Sequence, residues 1–320
     1  MSQQDPHFDP KAYNPSFEWS FLHPKYWGTW LYVSAAALVS LLPNTCRRWI
    51  ATVLARGALK LNSKANQRAR TNLEMCFPNN TQEQREAMLL QSYITAGTFL
   101  LGFPSLSIRR KKWLEKNSVI RGEEHLFRLK EQGHSVILLV PHTWAIDVPA
   151  VLLASRGIHV SAMAKKQKDQ VADWFIHRQR VQYGGRVYER KGGVKPFIRS
   201  IKDGYLGYYL PDEDLGPDSS VFVDFFATTK ATISGLGKLS KVSRAKIVPL
   251  FSMYNVTTGK YEIDIQPELD PFPLESEEQD ARLMNQCIEN YVNQHPEQYM
   301  WILRLLKTRP DGEPNPYHKK

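Results

Sequence analysis

From residue 122 onward, short apolar runs alternate with stretches of helical period. The run at 136–140 shows no polar alternation and stops at Pro141, the pattern of a strand buried on both faces of a parallel sheet. Residues 123–132 predict a helix before it, closed by Gly133. Residues 149–155 predict one after it, with Pro149 in the first turn and Gly157 beyond the end. The alternation continues with a strand at 158–164, a helix at 171–183, a strand at 186–188, a helix at 195–202 and a strand at 205–210. Strands at 246–251 and 261–265, with helices at 275–294 and 297–307, complete the set. Strands alternating with helices imply βαβ units. The expected fold is therefore α/β, a central largely parallel or mixed sheet flanked by helices.

Ahead of this region the pattern is helical. Residues 1–25 are polar and proline-punctuated, without the positively charged opening of a signal peptide. Residues 26–42, YWGTWLYVSAAALVSLL, carry no charge, and 17 residues is about the shortest stretch that spans a bilayer. Tyr26, Trp27, Trp30 and Tyr32 gather at one end as interfacial aromatics do, and Arg47, Arg48, Arg56, Lys60 and Lys64 follow the other end. This predicts a membrane anchor, spanning or embedded, with the body of the protein in the cytoplasm. Trp49, Ile50, Val53, Leu54 and Leu61 follow helical spacing, and a basic amphipathic helix there can lie along anionic headgroups. Thr81 with Gln84 makes a capping box for a helix to about Phe103. The expected division is a polar segment at 1–25, an anchor at 26–42, a basic membrane-proximal helical region at 43–120, an α/β domain at 121–309 and a loosely held tail at 310–320.

Composition narrows the classes. A chain of 320 residues can bury a full core, and its formal charge of +10 calls for an anionic partner. Three scattered cysteines, Cys46, Cys76 and Cys287, support neither a disulfide framework nor a zinc site. Asp212-Glu213-Asp214 lacks the spacing of a metal loop, and there is no nucleic-acid motif.

The candidate chemistry gathers at strand ends, where open α/β sheets bind ligands. His142 follows the strand ending at Pro141, and Asp147 comes five residues later. Five residues rotate a helix by about 140°, so the two side chains meet only if His142 precedes a helix that Asp147 begins. A later strand end presents Glu189-Arg190-Lys191 before Gly192-Gly193, a plausible phosphate site. Another runs through Pro211 into Asp212-Glu213-Asp214. Phe222, Phe225 and Phe226 either line an apolar channel or belong to the core. These groups suit attack by a hydroxyl on an activated acyl group, with His142 as base and Asp147 fixing its tautomer. No G-x-S-x-G elbow is present, so direct transfer is expected rather than an acyl-enzyme.

HTWAID fits the H-x4-D/E box of the glycerolipid-type acyltransferases. More specific are CFP at 76–78, VPHTWAIDVPA at 140–150, GYYLPDEDLGP at 207–217, FVDFFATTKAT at 222–232 and PEQYMWILRLLKTRP at 296–310. In that order, over nearly the whole chain, they resemble the late acyltransferases of lipid A biosynthesis, the myristoyltransferase branch more than the lauroyltransferase branch. The resemblance implies transfer of a fatty acyl chain, usually myristoyl, from acyl carrier protein to a 3-hydroxyacyl chain of Kdo2-(lauroyl)-lipid IVA. It implies work at the cytoplasmic face of the Gram-negative inner membrane, in contact with its lipids, with one N-terminal anchor. Neither a metal nor a cofactor beyond the acyl donor is implied. By position, His142 and Asp147 become the catalytic pair. Arg190 and Asp212 match charged positions tied to activity, and with the adjacent Lys191 and Asp214 they are assigned to substrate binding. Thr143 stands where glycine is familiar, and Glu213 where glutamine is common. Lipid A as substrate follows from the resemblance alone. A lauroyl-type or glycerolipid acyltransferase, or a non-enzymatic basic membrane-binding protein, are the alternatives.

Overall fold

The computed structural model describes residues 8–317. Four helices open the chain, α1 (Trp27–Ser40), α2 (Asn44–Lys60), α3 (Lys64–Cys76) and α4 (Gln82–Gly102). Two short helices, α5 (Ser105–Ile108) and α6 (Lys111–Lys116), lead into β1 (Ser118–Arg121). The alternating region follows as α7 (Glu123–Glu131), β2 (Ser135–Leu139), α8 (Val148–Ser155), β3 (Val160–Ala164), α9 (Gln170–Arg180), β4 (Arg186–Glu189), α10 (Lys195–Lys202) and β5 (Leu206–Tyr209). The chain then forms β6 (Ser220–Phe225), β7 (Thr228–Ile233), α11 (Leu236–Ser243), β8 (Ala245–Tyr254), β9 (Tyr261–Ile265) and α12 (Glu277–Gln294).

The fold is α/β, with a mixed seven-stranded sheet in the order β1-β9-β8-β2-β5-β3-β4. From β8 to β4 neighbouring strands run parallel, β9 is antiparallel to β8, and β1 is parallel to β9. β2 is central, and its sequence says why. Val136 and Leu138 enter the core cluster shared with α7 and α8, while Ile137 and Leu139 enter the one shared with α10, α11 and α12. Both faces are covered, so no polar alternation survives. Each such side chain contributes about 1.5–3 kcal/mol on burial. The capping box on α4 is formed in both directions, Gln84 N to Thr81 Oγ1 at 3.2 Å and Thr81 N to Gln84 Oε1 at 2.8 Å.

Three expectations are corrected. The anchor at 26–42 is a 14-residue helix, about 21 Å long, against a hydrocarbon core of roughly 30 Å. It stops at Ser40, ahead of Pro43, and no helix of the described residues is long and apolar enough to cross a membrane. One side of α1 is bound to the protein: Thr29 Oγ1 donates to Asp169 Oδ2 at 2.7 Å, and Trp30 packs edge-on against Phe175.

The helix expected at 297–307 is a single 3-10 turn, Pro296–Gln298, followed by an irregular segment. Tyr299, Trp301, Leu305 and Leu306 are fully buried, so the apolar spacing was a true burial signal with a different backbone beneath it. Asn72 Nδ2 on α3 donates to the carbonyls of Trp301 and Leu303 at 2.6 and 2.8 Å, replacing the helical ladder.

The tail is tied down at Tyr317, whose hydroxyl donates to Asn72 Oδ1 and accepts from Leu306 N. Residues 1–7 of the expected polar segment and 318–320 of the tail lie outside the described residues.

Candidate active site

β2 and β5 are adjacent and parallel, with Leu139 opposite Tyr209. The register continues one step further through Val140 N to Tyr209 O at 2.9 Å. Each strand then runs through an apolar residue and a proline, Val140-Pro141 and Leu210-Pro211, before His142 and Asp212. Both residues therefore stand three positions beyond paired strand ends, side by side. Asp212 holds His142 twice: Oδ2 accepts from the His142 backbone N at 2.8 Å, and Oδ1 lies 2.5 Å from the ring Nδ1. With Nδ1 donating to a carboxylate, the neutral ring carries its free lone pair on Nε2. Asp212 is fully buried, whereas the His142 side chain keeps 17% of its surface exposed.

The surroundings bias both groups. Burial disfavours a charged imidazole, but the charge and hydrogen bond of Asp212, with a smaller push from Glu213, prevail and raise the His142 pKa. Burial likewise works against the Asp212 carboxylate, and the His142 contacts prevail, holding it below the ordinary range. The Tyr299 hydroxyl lies buried against Asp212 and helps to stabilise its charge, without closing a full hydrogen bond.

A backbone clamp fixes the His142 loop. Met300 N donates to the His142 carbonyl at 2.9 Å, and Trp144 N donates to the Gln298 carbonyl at 3.0 Å. The C-terminal segment thus runs antiparallel beside residues 142–144, with Thr143 opposite Tyr299. Thr143 is buried, its hydroxyl 2.6 Å from that of Ser252 on β8.

The expected contact between His142 and Asp147 is not made. Asp147 begins α8, as the spacing required, but its carboxylate takes two hydrogen bonds from Arg180 at the end of α9, at 2.9 and 3.2 Å. The Asp147 charge, against the cost of burial, raises the Arg180 pKa. Asp212, which sequence reasoning assigned to substrate binding, occupies the imidazole instead. The rest of the acidic run does not converge with it. Glu213 pairs with Arg190 at the half-exposed rim, where both act electrostatically on His142. Asp214 turns inward, accepting from Thr308 N at 2.6 Å, Thr308 Oγ1 at 2.8 Å and Gly216 N at 3.0 Å. Its carboxylate is used in holding the C-terminal segment rather than facing a ligand. Lys191 is exposed beside Gly192-Gly193 and the N-terminal segment at 10–15.

Sequence reasoning missed Arg180 and Lys230. Lys230 lies on β7 in the hairpin that β6 and β7 form, a hairpin also absent from the sequence reading. It is fully buried, 5.7 Å from the centre of the Phe225 ring, and among the described residues its sole hydrogen bond is a long one, 3.4 Å, to the Ala231 carbonyl. Burial pushes its ammonium down to about 8, opposed by the charges of Asp212 and Asp214. Of the candidate channel aromatics, Phe225 is core, Phe226 packs on Phe77 and Trp301, and Phe222 is 42% exposed.

A histidine held by a buried carboxylate at the carboxyl ends of two central parallel strands is an arrangement suited to proton abstraction from a hydroxyl, at the place where open α/β sheets bind ligands. Residues 14–308 match the family model described as bacterial lipid A biosynthesis acyltransferase, and the chain belongs to that family. It is 42% identical to the lipid A biosynthesis myristoyltransferase of Escherichia coli (strain K12), over 96% of this chain and 95% of the relative. It is 41% identical to a lipid A biosynthesis acyltransferase of Haemophilus influenzae, over 94% of each. Identity to the Escherichia coli lipid A biosynthesis lauroyltransferase is 30%, over 95% of this chain and 99% of that one.

Proposed function

We propose that the protein transfers a myristoyl chain from acyl carrier protein to a 3-hydroxyacyl chain of Kdo2-lauroyl-lipid IVA, late in lipid A assembly. The observation that carries the reading is the His142–Asp212 pair within a chain whose family and 42%-identical relative are named for lipid A acyl transfer. His142 Nε2 takes the proton of the acceptor hydroxyl as its oxygen attacks the thioester carbonyl. The C–S bond breaks as the tetrahedral intermediate collapses, and the proton passes from the imidazolium to the leaving thiolate. Asp212 stabilises the transient imidazolium, and neither metal nor cofactor takes part.

The reading includes a membrane surface on the cytoplasmic side. It is supported by the outward faces of α1 and α2, which expose Trp27, Leu31, Tyr32 and Leu38, then Trp49, Val53 and Leu54. α2 turns Ala51 and Ala55 inward, with Ala51 Cβ close against Gly97 of α4, so its large apolar residues face away from the core. With Arg48, Arg56 and Lys60 nearby, this face suits a helix lying in the plane of anionic headgroups.

Mass spectrometry of the product from purified protein, Kdo2-lauroyl-lipid IVA and myristoyl-acyl carrier protein tests the reading. A gain of one myristoyl chain, absent with His142→Ala, is expected. Folded protein that adds no chain of any length would refute the assignment.

A further inference from the structure

A hollow of about 740 Å³ lies between α3 and the C-terminal segment. Lys64, Arg68, Arg70 and Glu74 line it from α3, and Arg304 and Tyr317 line it from the segment that also carries Tyr299. Residues 64, 68 and 71 share one face of α3 by their spacing of four and three. Of the four cations, Arg70 is satisfied by Glu86, with its Nε 2.5 Å and its Nη2 3.0 Å from the carboxylate. Glu74 is the one carboxylate on the wall among the described residues, and it is not without a partner. Lys64, Arg68 and Arg304 have neither a hydrogen bond nor an ion pair among the described residues, and Nε of Arg68 is buried without an acceptor.

A guanidinium N–H removed from water and left unpaired is costly, and the cost is relieved when an anion enters. The volume is that of a small-molecule site rather than a cradle for a protein helix. Leu61, 63% exposed, joins the apolar outward face of α2 to this cationic face of α3. On the other wall Arg304 is five residues from Tyr299, at most about 17 Å along the chain from the residue that backs Asp212. An amphiphile could therefore lay its chains along α2, its anionic headgroup in the hollow, and keep a hydroxyl within reach of His142.

We infer that this hollow binds a phosphate or carboxylate on the headgroup of the acyl acceptor, through Arg68 and Arg304 from opposite walls. The inference rests on the acceptor class proposed above.

The test uses the full chain carrying Arg68→Gln with Arg304→Gln, and Arg304→Gln alone, an exposed position that reads the site should the double variant fold poorly by thermal melting. Three quantities are measured: KM for Kdo2-lauroyl-lipid IVA in mixed micelles, KM for myristoyl-acyl carrier protein, and calorimetric binding of inorganic pyrophosphate. The expected result for the double variant is an acceptor KM raised about tenfold or more, with kcat and donor KM within about twofold and pyrophosphate binding lost. The single variant raises acceptor KM about threefold. A raised donor KM with the acceptor unchanged would overturn the inference and make the hollow a docking site for the acidic carrier protein. No change in either KM would overturn it too, leaving solvated charges. Should the wild type leave this acceptor untouched, the acceptor assignment fails by itself. Pyrophosphate binding that is lost in the variant then still upholds an anion site, and its absence in the wild type overturns one.

Discussion

His142 and Asp212, 70 residues apart in sequence, are joined by two hydrogen bonds, one to the imidazole Nδ1 and one to the backbone N–H. The double attachment fixes both the position of the ring and the nitrogen left free. In the proposed mechanism His142→Ala removes the group that accepts the acceptor's proton through Nε2. We expect kcat to fall by about 10²–10⁴, the range of general-base catalysis, with melting temperature and vesicle binding nearly unchanged. The steady-state rate with the folded variant measures this.

Lys230 gives a prediction for stability. Its ammonium is buried and pushed down to about 8, against an ordinary 10.5 in the unfolded chain. Between those values the unfolded state binds the extra proton, so stability rises with pH across that window and the ammonium is a burden below it. Lys230→Met, which resembles the neutral amine in shape, should raise the melting temperature at pH 7, with the gain shrinking toward pH 10. Loss of the cation near Asp212 should lower activity at neutral pH by raising the proton affinity of the His142–Asp212 pair, moving the acid limb of the rate profile upward. Melting curves and rate profiles at matched pH check both.

The Asp147–Arg180 pair joins the start of α8 to the end of α9. Both side chains keep some solvent exposure, 21% and 29%, so the pair is worth less than a fully buried one. A double-mutant cycle of Asp147→Asn and Arg180→Gln should return a coupling of about 1 kcal/mol in urea denaturation.

Membrane association should depend on the outward face of α2. Trp49→Glu with Leu54→Glu, both at exposed positions, should leave the fold intact and weaken binding to phosphatidylglycerol vesicles by about tenfold or more. Part of the wild-type binding should survive high salt, because apolar insertion is not screened. Vesicle co-sedimentation at low and high ionic strength separates the two contributions.

The central sheet was legible because β2 is buried on both faces and is therefore written in apolar residues from Val136 to Leu139. The position of His142 at a strand end followed directly. Its partner did not. The spacing to Asp147 suggested a local pair, whereas the actual pairing depends on β2 lying beside β5, a strand order set by crossovers that no short window records. One trace of it is present: Val-Pro-His and Leu-Pro-Asp end two strands in the same way. Lys230 left no signal, since lysine in a strand usually points to solvent. The segment at 297–307 was misread because burial at Tyr299, Trp301, Leu305 and Leu306 mimics a helical stripe, while Asn72 supplies the backbone partners from another element. The charge-free run at 26–42 looked like a span, but Pro43 and a 14-residue helix leave it too short.

The most direct measurement is the titration of His142 by NMR in the wild type, Asp212→Asn and Asp147→Asn. In the wild type the folded pKa lies above 6.5, because Asp212 outweighs burial. The stabilising His142–Asp212 contact is then fully present below 6.5, on the His142 side of the linkage, and fades as pH rises through the higher folded value. The reacting neutral imidazole appears over that same rise. Asp212→Asn should drop the midpoint below 6.5, since burial then acts without its counterweight, and Asp147→Asn should leave it within a few tenths of a unit. A midpoint that follows Asp147 and ignores Asp212 would contradict the pairing on which the proposed mechanism stands.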